Sequence, residues 1–462
     1  MNNQERCAIK TLKLLNFRCF EELNISFNDR LSVFVAPNGC GKTAILDAVA
    51  IALRLFTDTI EERPTSKGFE ARDIRLVQNP LGQMEQVTPV RFEAYGCFFD
   101  RCISWSRERQ SEKSSRTTIT EAQSLRGLAE EIGKQNKLWA QKKESSSPVF
   151  PVIAYYGTGR LWANTRISQK KSKVQALNAR HRGYTDCLSS SSHYRYFFEW
   201  FGRHAYSEKH FDEVVSNPAL KNPFPIKGLD SVRAAVDIAL KPVGWHNLAW
   251  DFKEDLVVAS HDLYGTLPVE LLSDGIRNMV GLVADLAHRV VRLNPQLEAE
   301  AHLRTPGIVL IDEVDMHLHP QWQQHVLQSL QQAFPMVQFI VTTHSPQVLS
   351  TVAAESIFMV EQSADGSWSI AQPELQTQGV ESSRVMAEVM RTDQTPALPI
   401  IEKLNDYYML IQTHKYDTEA ALHLRAQLVE HYGETHPVIQ EADRMISIEK
   451  FKQSLKKTDK GD

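Results

Sequence analysis

No apolar run in this sequence approaches the roughly 18 residues that a membrane-crossing helix needs. The start, MNNQERCAIK, is polar and lacks the apolar centre of a secretory leader. Cysteine is sparse: Cys7, Cys19, Cys40, Cys97, Cys102 and Cys187 are the six in 462 residues. None forms a C-x-x-C pair, and no histidine cluster completes a zinc pattern, which argues against a structural zinc. So few cysteines in so long a chain point to a reducing compartment rather than a disulfide framework. A cytoplasmic protein is expected. Excess basic charge is missing too. The net charge is -4 and the pI about 6.5, whereas a dedicated nucleic-acid-binding domain usually lies above about 9. Nucleic-acid contact would have to be local. Sustained heptads are absent, which excludes long coiled-coil arms. Internal repeats and low-complexity tracts are absent as well. Beyond residue 350 no strand carries clustered acids, so a nuclease centre within this chain is not expected.

What is present has ordinary globular composition, 42% hydrophobic and 23% charged. The length predicts two to four domains. The stretch LKLLNFRCFEELNISFNDRLSVFVAPNG (12–39) holds β-rich runs and ends in LSVFVA, the pattern of a strand buried on both faces. KTAILDAVAIALRLF (42–56) is apolar at helical spacing. VRFEAYGCFFDRCISWSRE (90–108) alternates and reads as a hairpin on the same sheet. VFPVIAYY (149–156), GIVLID (307–312) and QFIVTTHS (338–345) are further buried strands. The last two are each followed by a helix, an order that implies parallel pairing. The predicted fold is α/β, a mixed sheet flanked by helices. It is divided as 1–108, a mostly helical insertion over 109–245, a returning sheet part over 246–378, and a helical tail over 379–462.

APNGCGKT (36–43) sits between a buried strand and a helix, the context that the phosphate-loop pattern G-x-x-x-x-G-K-[ST] requires. Only the first glycine departs, as Ala36. Asn38, Gly39, Cys40 and Gly41 form the loop whose N–H groups would surround phosphates. Lys42 would reach the β and γ phosphates, and Thr43 would offer its hydroxyl to Mg²⁺. GIVLIDEVD (307–315) ends in two acids. Asp312 is placed to hold Mg²⁺, and Glu313 to activate an attacking water. An acid beside the metal ligand argues for ATP hydrolysis rather than passive binding. His344, in TTHSP (342–346), follows the next buried strand and would contact the γ-phosphate. The histidines of DMHLHP (315–320) read as an interface loop, because alternate positions lie on opposite faces of a strand. LSDGIR (272–277) precedes a long amphipathic pattern, which makes Ser273 an expected helix N-cap.

A phosphate loop, a distant L-S-x-G-x-R, an apolar strand ending in D-E and another ending in T-H-S together resemble the ABC-type ATPases of the SMC/RecF superfamily. LKLLNFRCFEELNISF resembles its opening strands. YYGTGRLW (155–162) and DEVDMHLHP bring the resemblance nearest to the anti-phage ATPases of Septu and OLD type. The resemblance implies that Arg18, of the N-F-R triplet, lies near the nucleotide. It implies that Ser273 and Gly275 contact the γ-phosphate of ATP held by a second copy. Asp315 and the residues after it would form a loop crossing the dimer interface. The family carries a glutamine at the end of the strand leading into its helical subdomain. This chain reads AYYGTGR there, with Gln78 and Gln83 elsewhere, and Arg160 becomes a candidate phosphate or lid contact. The Septu type works beside a separate HNH nuclease, so a partner nuclease is implied here.

Two stretches bear on other partners. The run 166–184 holds Arg166, Lys170, Lys171, Lys173, Arg180 and Arg182, either a solvated face or a salt-sensitive DNA contact. The tail places Ile400, Ile401, Leu404, Tyr408 and Ile411, then Ala421, Leu424 and Leu428, at helical spacing. It reads as helices that pack on their own protein or dock a partner nuclease. The leading expectation is an ATP-sandwich dimer that gates such a nuclease in anti-phage defence. A RecF-like DNA repair ATPase is the alternative. A transporter energy subunit fits less well, because LSDGIR lies far before the D-E strand.

Overall fold

The computed structural model describes residues 6–111, 117–142, 146–160, 180–189, 195–209, 228–392 and 398–458. The chain forms two compact units, Met1–Met390 and Arg391–Asp462. Among the described residues, no helix is long and apolar enough to cross a membrane.

The first unit opens with β1 (Cys7–Phe17), β2 (Phe20–Ser26) and β3 (Leu31–Val35). A short ribbon, β4 (Leu76–Gln78) and β5 (Met84–Gln86), precedes the hairpin β6 (Val90–Phe98) and β7 (Arg101–Arg109). Then come β8 (Val152–Tyr156), β9 (Trp245–Asp251), β10 (Leu256–His261) and β11 (Gly265–Pro268). The last four strands are β12 (Gly307–Ile311), β13 (Val337–Thr342), β14 (Ile357–Gln362) and β15 (Trp368–Ala371). Its longer helices are α1 (Lys42–Ile60), α2 (Gln123–Ala140), α3 (Arg195–Lys209), α4 (Gly228–Leu240) and α5 (Asp274–Leu293).

The central sheet has the order β15-β14-β3-β13-β12-β8. All of its neighbours pair parallel except β15, which joins antiparallel at the edge. Every residue of β3, β8, β12 and β13 is buried. Unbroken apolar runs are what a sheet covered on both faces requires. Adjacent residues of β8 show the two faces. Tyr155 borders a cavity with Asp47 of α1, whereas the Tyr156 hydroxyl donates to Asp285 of α5 at 2.8 Å. Successive strand side chains point oppositely, so the sheet lies between α1 and α5.

The hairpin over 90–108 shares a sheet with β1 and β2, as expected, but not with β3. β2-β1-β6-β7 form a separate antiparallel sheet. The reason lies in their alternation: β6 buries every second residue, which suits a sheet with one covered face. α1 fills the space between the two sheets and is buried on nearly all sides. Trp105 of β7 donates its indole N–H to the Ala52 carbonyl at 2.9 Å, and Phe98 stacks on Phe56 at 5.5 Å. Gln338, at the start of β13, ties the layers with its amide. Its Oε1 accepts from the Ile9 N–H, and its Nε2 donates to the Ile9 and Asn28 carbonyls, all within 2.8–2.9 Å.

Three further expectations change. Cys97 and Cys102, opposite each other across the β6–β7 hairpin, are disulfide-bonded, whereas unpaired cysteines were expected. The inserted stretch 109–245 is not a compact unit of its own, because β8 within it supplies the edge of the central sheet. The tail begins later than residue 379. The short helix Ser382–Glu388 buries Val385 in the core of the first unit, and the second unit starts at Arg391.

That second unit holds α6 (Pro399–Gln412), α7 (Glu419–Tyr432) and α8 (Pro437–Thr458). Leu404, Tyr407, Ile411, Ala421, Leu428, Ile439 and Ala442 form its own core. The Thr418 hydroxyl caps α7 by accepting from the Ala421 N–H, and Arg425 holds both carboxylate oxygens of Asp443 at 3.2 and 3.0 Å.

Candidate nucleotide site

The phosphate loop leaves the C-terminal end of β3 and runs into α1. Gly39 and Gly41 take φ of +82° and +80°, a region that side chains rarely adopt. At Gly41 an added Cβ would also lie 2.4 Å from the Phe20 ring. Ala36 has no positive φ, so the first position of the pattern needs no glycine here. Asn38 and Gly39 are exposed, Cys40 is half-buried and Lys42 is buried. The Lys42 ammonium folds back across the loop and donates to the Ala36 and Pro37 carbonyls at 2.8 and 3.1 Å. Burial lowers its pKa, while Cys40, Asp312 and Glu313 act in the opposite direction.

The loop meets the carboxylate strand through a hydroxyl. Thr43 Oγ1 donates to Asp312 Oδ2 at 2.8 Å. On the other side of the same carboxylate, Thr342 Oγ1 donates to Asp312 Oδ1 at 2.6 Å and accepts from the Glu313 N–H at 2.7 Å. Asp312 is buried; Glu313, one residue on, is half-buried. Glu313 has φ of +48°, a strained conformation costing about 1–3 kcal/mol in general and found where structure over-determines it. A hydroxyl and a carboxylate converging at the end of a phosphate loop are the hard oxygen donors that Mg²⁺ takes. The residues present therefore fit that ion.

His344 follows β13 and is half-buried. Burial lowers its pKa, and Lys42 lowers it further, against the pull of Asp315, Glu313 and Asp312. Both effects favour the neutral imidazole. Asp315 accepts from the Thr343 hydroxyl at 2.5 Å. Thr343 Oγ1 in turn accepts from the Ser345 N–H at 3.0 Å. Lys42, Thr43, Asp312, Glu313, Asp315 and His344 thus gather at the C-terminal ends of three adjacent parallel strands, where open α/β sheets bind ligands.

The remaining candidates make other contacts. Arg18 is held by carboxylates, donating to Asp47 at 2.6 Å and to Asp73 at 2.9 Å. Ser273 occupies the N-cap position of α5, with φ -60° and ψ 153°, but its hydroxyl makes no capping hydrogen bond. Gly275 is buried against the loop after Asp315: a Cβ there would lie 2.4 Å from the His317 carbonyl oxygen. Close approach, rather than an unusual φ, requires this glycine. Arg160, the candidate phosphate or lid contact, is buried. It is 2% exposed and donates to backbone carbonyls of Gly157, Asp312 and Glu313. Of the basic run, residues 166–179 lie outside the described residues. Arg180 serves the fold, donating to Leu293 O at 2.8 Å and Pro148 O at 2.7 Å over the Phe150 ring.

Comparison with known proteins bears on the same architecture. A family model described as "AAA domain" matches residues 11–194, and one described as "AAA domain, putative AbiEii toxin, Type IV TA system" matches 164–350. The chain is 27% identical to "Retron Ec83 probable ATPase" of Escherichia coli, over 92% of this chain and 84% of that protein. It is 23% identical to "Retron Vc95 probable ATPase" of Vibrio cholerae serotype O1 biovar El Tor, over 90% and 85%. With "Septu protein PtuA" of Bacillus thuringiensis it shares 22% identity over 87% and 88%. The chain is thus similar along most of its length to retron and Septu proteins, two of them named probable ATPases. Among solved structures, a Pyrococcus furiosus Smc head domain aligns with TM-score 0.45 and 14% identity, over 84% of this chain and all of that one.

Sequence reasoning missed the two threonines that organise the acids. Thr342 and Thr343 were quoted only as neighbours of His344. Their signal was adjacency: paired hydroxyls at the end of a strand that lies beside the D-E strand. Also missed was the buried network of α5. Arg289 Nε donates to Asp285 at 2.7 Å, and its Nη1 donates to the Gly183 and Thr185 carbonyls at 2.9 and 3.0 Å.

Proposed function

We propose that two copies of this chain sandwich two ATP molecules, hydrolyse them, and thereby gate a separate effector nuclease of HNH type in anti-phage defence. The observation that carries the ATPase chemistry is the hydrogen-bonded convergence of Thr43, Asp312, Thr342 and Glu313 below the phosphate loop. Lys42 and the loop N–H groups would bind the β and γ phosphates. Bound Mg²⁺, held by Thr43 and Asp312, would neutralise charge on the phosphate oxygens. Glu313 would accept the proton of the attacking water, and His344 would hydrogen-bond the γ-phosphate.

The dimer is supported by the start of α5. Its N-terminal N–H groups and uncapped Ser273 form an anion-binding end, in a chain that already has a complete phosphate loop of its own. Only ATP offers the γ-phosphate to that second copy, so ATP and ADP would favour different assemblies. The partner nuclease follows from the family resemblance. Exposed Met409, Leu422, Ile448 and Phe451 of the tail unit support that unit as its dock.

The test is Glu313→Gln. The variant is expected to bind ATP and retain it unhydrolysed, read by chromatography of the nucleotide released on denaturation. Release of ADP at the wild-type rate would contradict the assignment of the base.

A further inference from the structure

We infer that Arg160 is a positioning residue, clamping the backbone that carries the hydrolytic carboxylate; this rests on the assignment of Glu313 as the base. Arg160 stands just beyond β8, where the family pattern led us to expect glutamine and the chain has none. Its guanidinium is buried and forked between strands. Nη1 donates to the carbonyls of Asp312 and, at 3.1 Å, Gly157; Nη2 donates to the carbonyl of Glu313 at 2.6 Å. Two consecutive carbonyls therefore share one side chain. In extended backbone consecutive carbonyls point to opposite sides of the strand. They converge here because the chain turns at Glu313, whose φ is +48°. The Glu313 N–H is fixed by Thr342 Oγ1 at 2.7 Å, and its C=O is fixed by Arg160. Both sides of a strained residue are thus held by hydrogen bonds, and the aim of its side chain follows from them.

A planar fork with donors on two nitrogens satisfies two carbonyls at once; a lysine ammonium on a flexible stem does not hold that geometry. The guanidinium donates to backbone carbonyls on either side of the Asp312–Glu313 peptide, so its loss is expected to appear in turnover rather than in binding.

The experiment compares R160K and R160A with wild type. Both are expected to bind a fluorescent ATP analogue with unchanged affinity and to show unchanged KM. The expected fall in kcat is about 10–100-fold, the size typical of groups that orient a reactive centre from behind. Free guanidinium ion should restore part of the R160A rate. In an E313Q background, R160A should lower the residual rate no further, because both substitutions act on one step. The inference is overturned if R160K hydrolyses ATP at the wild-type rate. It is also overturned if either variant loses ATP affinity in proportion to kcat, or if R160A and E313Q combine additively. Should R160A not fold, R160K alone decides, since it keeps the charge and the stem. Failure of the base assignment has a separate signature, E313Q turning over at the wild-type rate.

Discussion

Thr342 and Thr343 are adjacent, yet they hold different acids, Asp312 and Asp315. Adjacent strand residues face opposite ways, so one hydroxyl serves Asp312 and the other the loop after it. At this scale the motif residues were legible in the sequence, because phosphate-loop and D-E patterns carry their chemistry in residue type. What they bond to was not legible, because those partners come from other strands. Lys42→Ala is expected to abolish ATP binding, measured by fluorescence titration, since no other loop side chain supplies an ammonium. Glu313→Gln should cost about 10²–10⁴ in hydrolysis, the usual range for a general base. Gly275→Ala places a Cβ against the His317 carbonyl, which must move. Overpacking of this kind costs about 1–3 kcal/mol. A lowered melting temperature and slower hydrolysis are expected together; an unchanged melt would show that the contact is slack.

At the scale of elements, α5 carries most of what the pattern could not reveal. Its amphipathicity was plain, but Asp285, His288 and Arg289 lie on the buried side. A periodic reading assigns charged residues to solvent, and here three elements cover them. Breaking the Asp285–Arg289 pair from one side leaves a buried charge, which generally costs about 3–5 kcal/mol. Asp285→Asn should therefore lower the melting temperature more than a double replacement by apolar residues. His288 is buried beside Trp200, with ring centroids 4.8 Å apart, and among the described residues neither ring nitrogen has a hydrogen-bond partner. Burial, then Arg292 and Arg289, drive its pKa well below the ordinary value. The unfolded chain, with an imidazole pKa of about 6.5, takes up that proton first. Stability from this group is present above about pH 6.5 and lost as pH falls below it. His288→Leu should flatten the fall in melting temperature between about pH 7 and 5. An equally steep fall in the variant would assign the acid sensitivity to other groups.

At the scale of the whole molecule, α/β class and parallel order were legible from short apolar strands each followed by a helix. The second sheet was not, because alternation reports one covered face without naming the sheet. Nor was the end of the first unit, since Ser382–Glu388 has the same helical spacing as the tail and only its burial separates them. The central claim also belongs here: each ATP site is completed by the start of α5 from a second copy. Mixing two dead variants tests it most directly. Lys42→Ala lacks a working phosphate loop but keeps Ser273; Ser273→Arg keeps the loop and blocks the end of α5. In a mixed dimer one site joins the intact loop to the intact α5, and the other carries both defects. With random pairing across a two-fold interface, the mixture should recover about a quarter of wild-type ATP hydrolysis. A mixture no more active than its two components, or a Ser273→Arg protein hydrolysing ATP normally by itself, would contradict it.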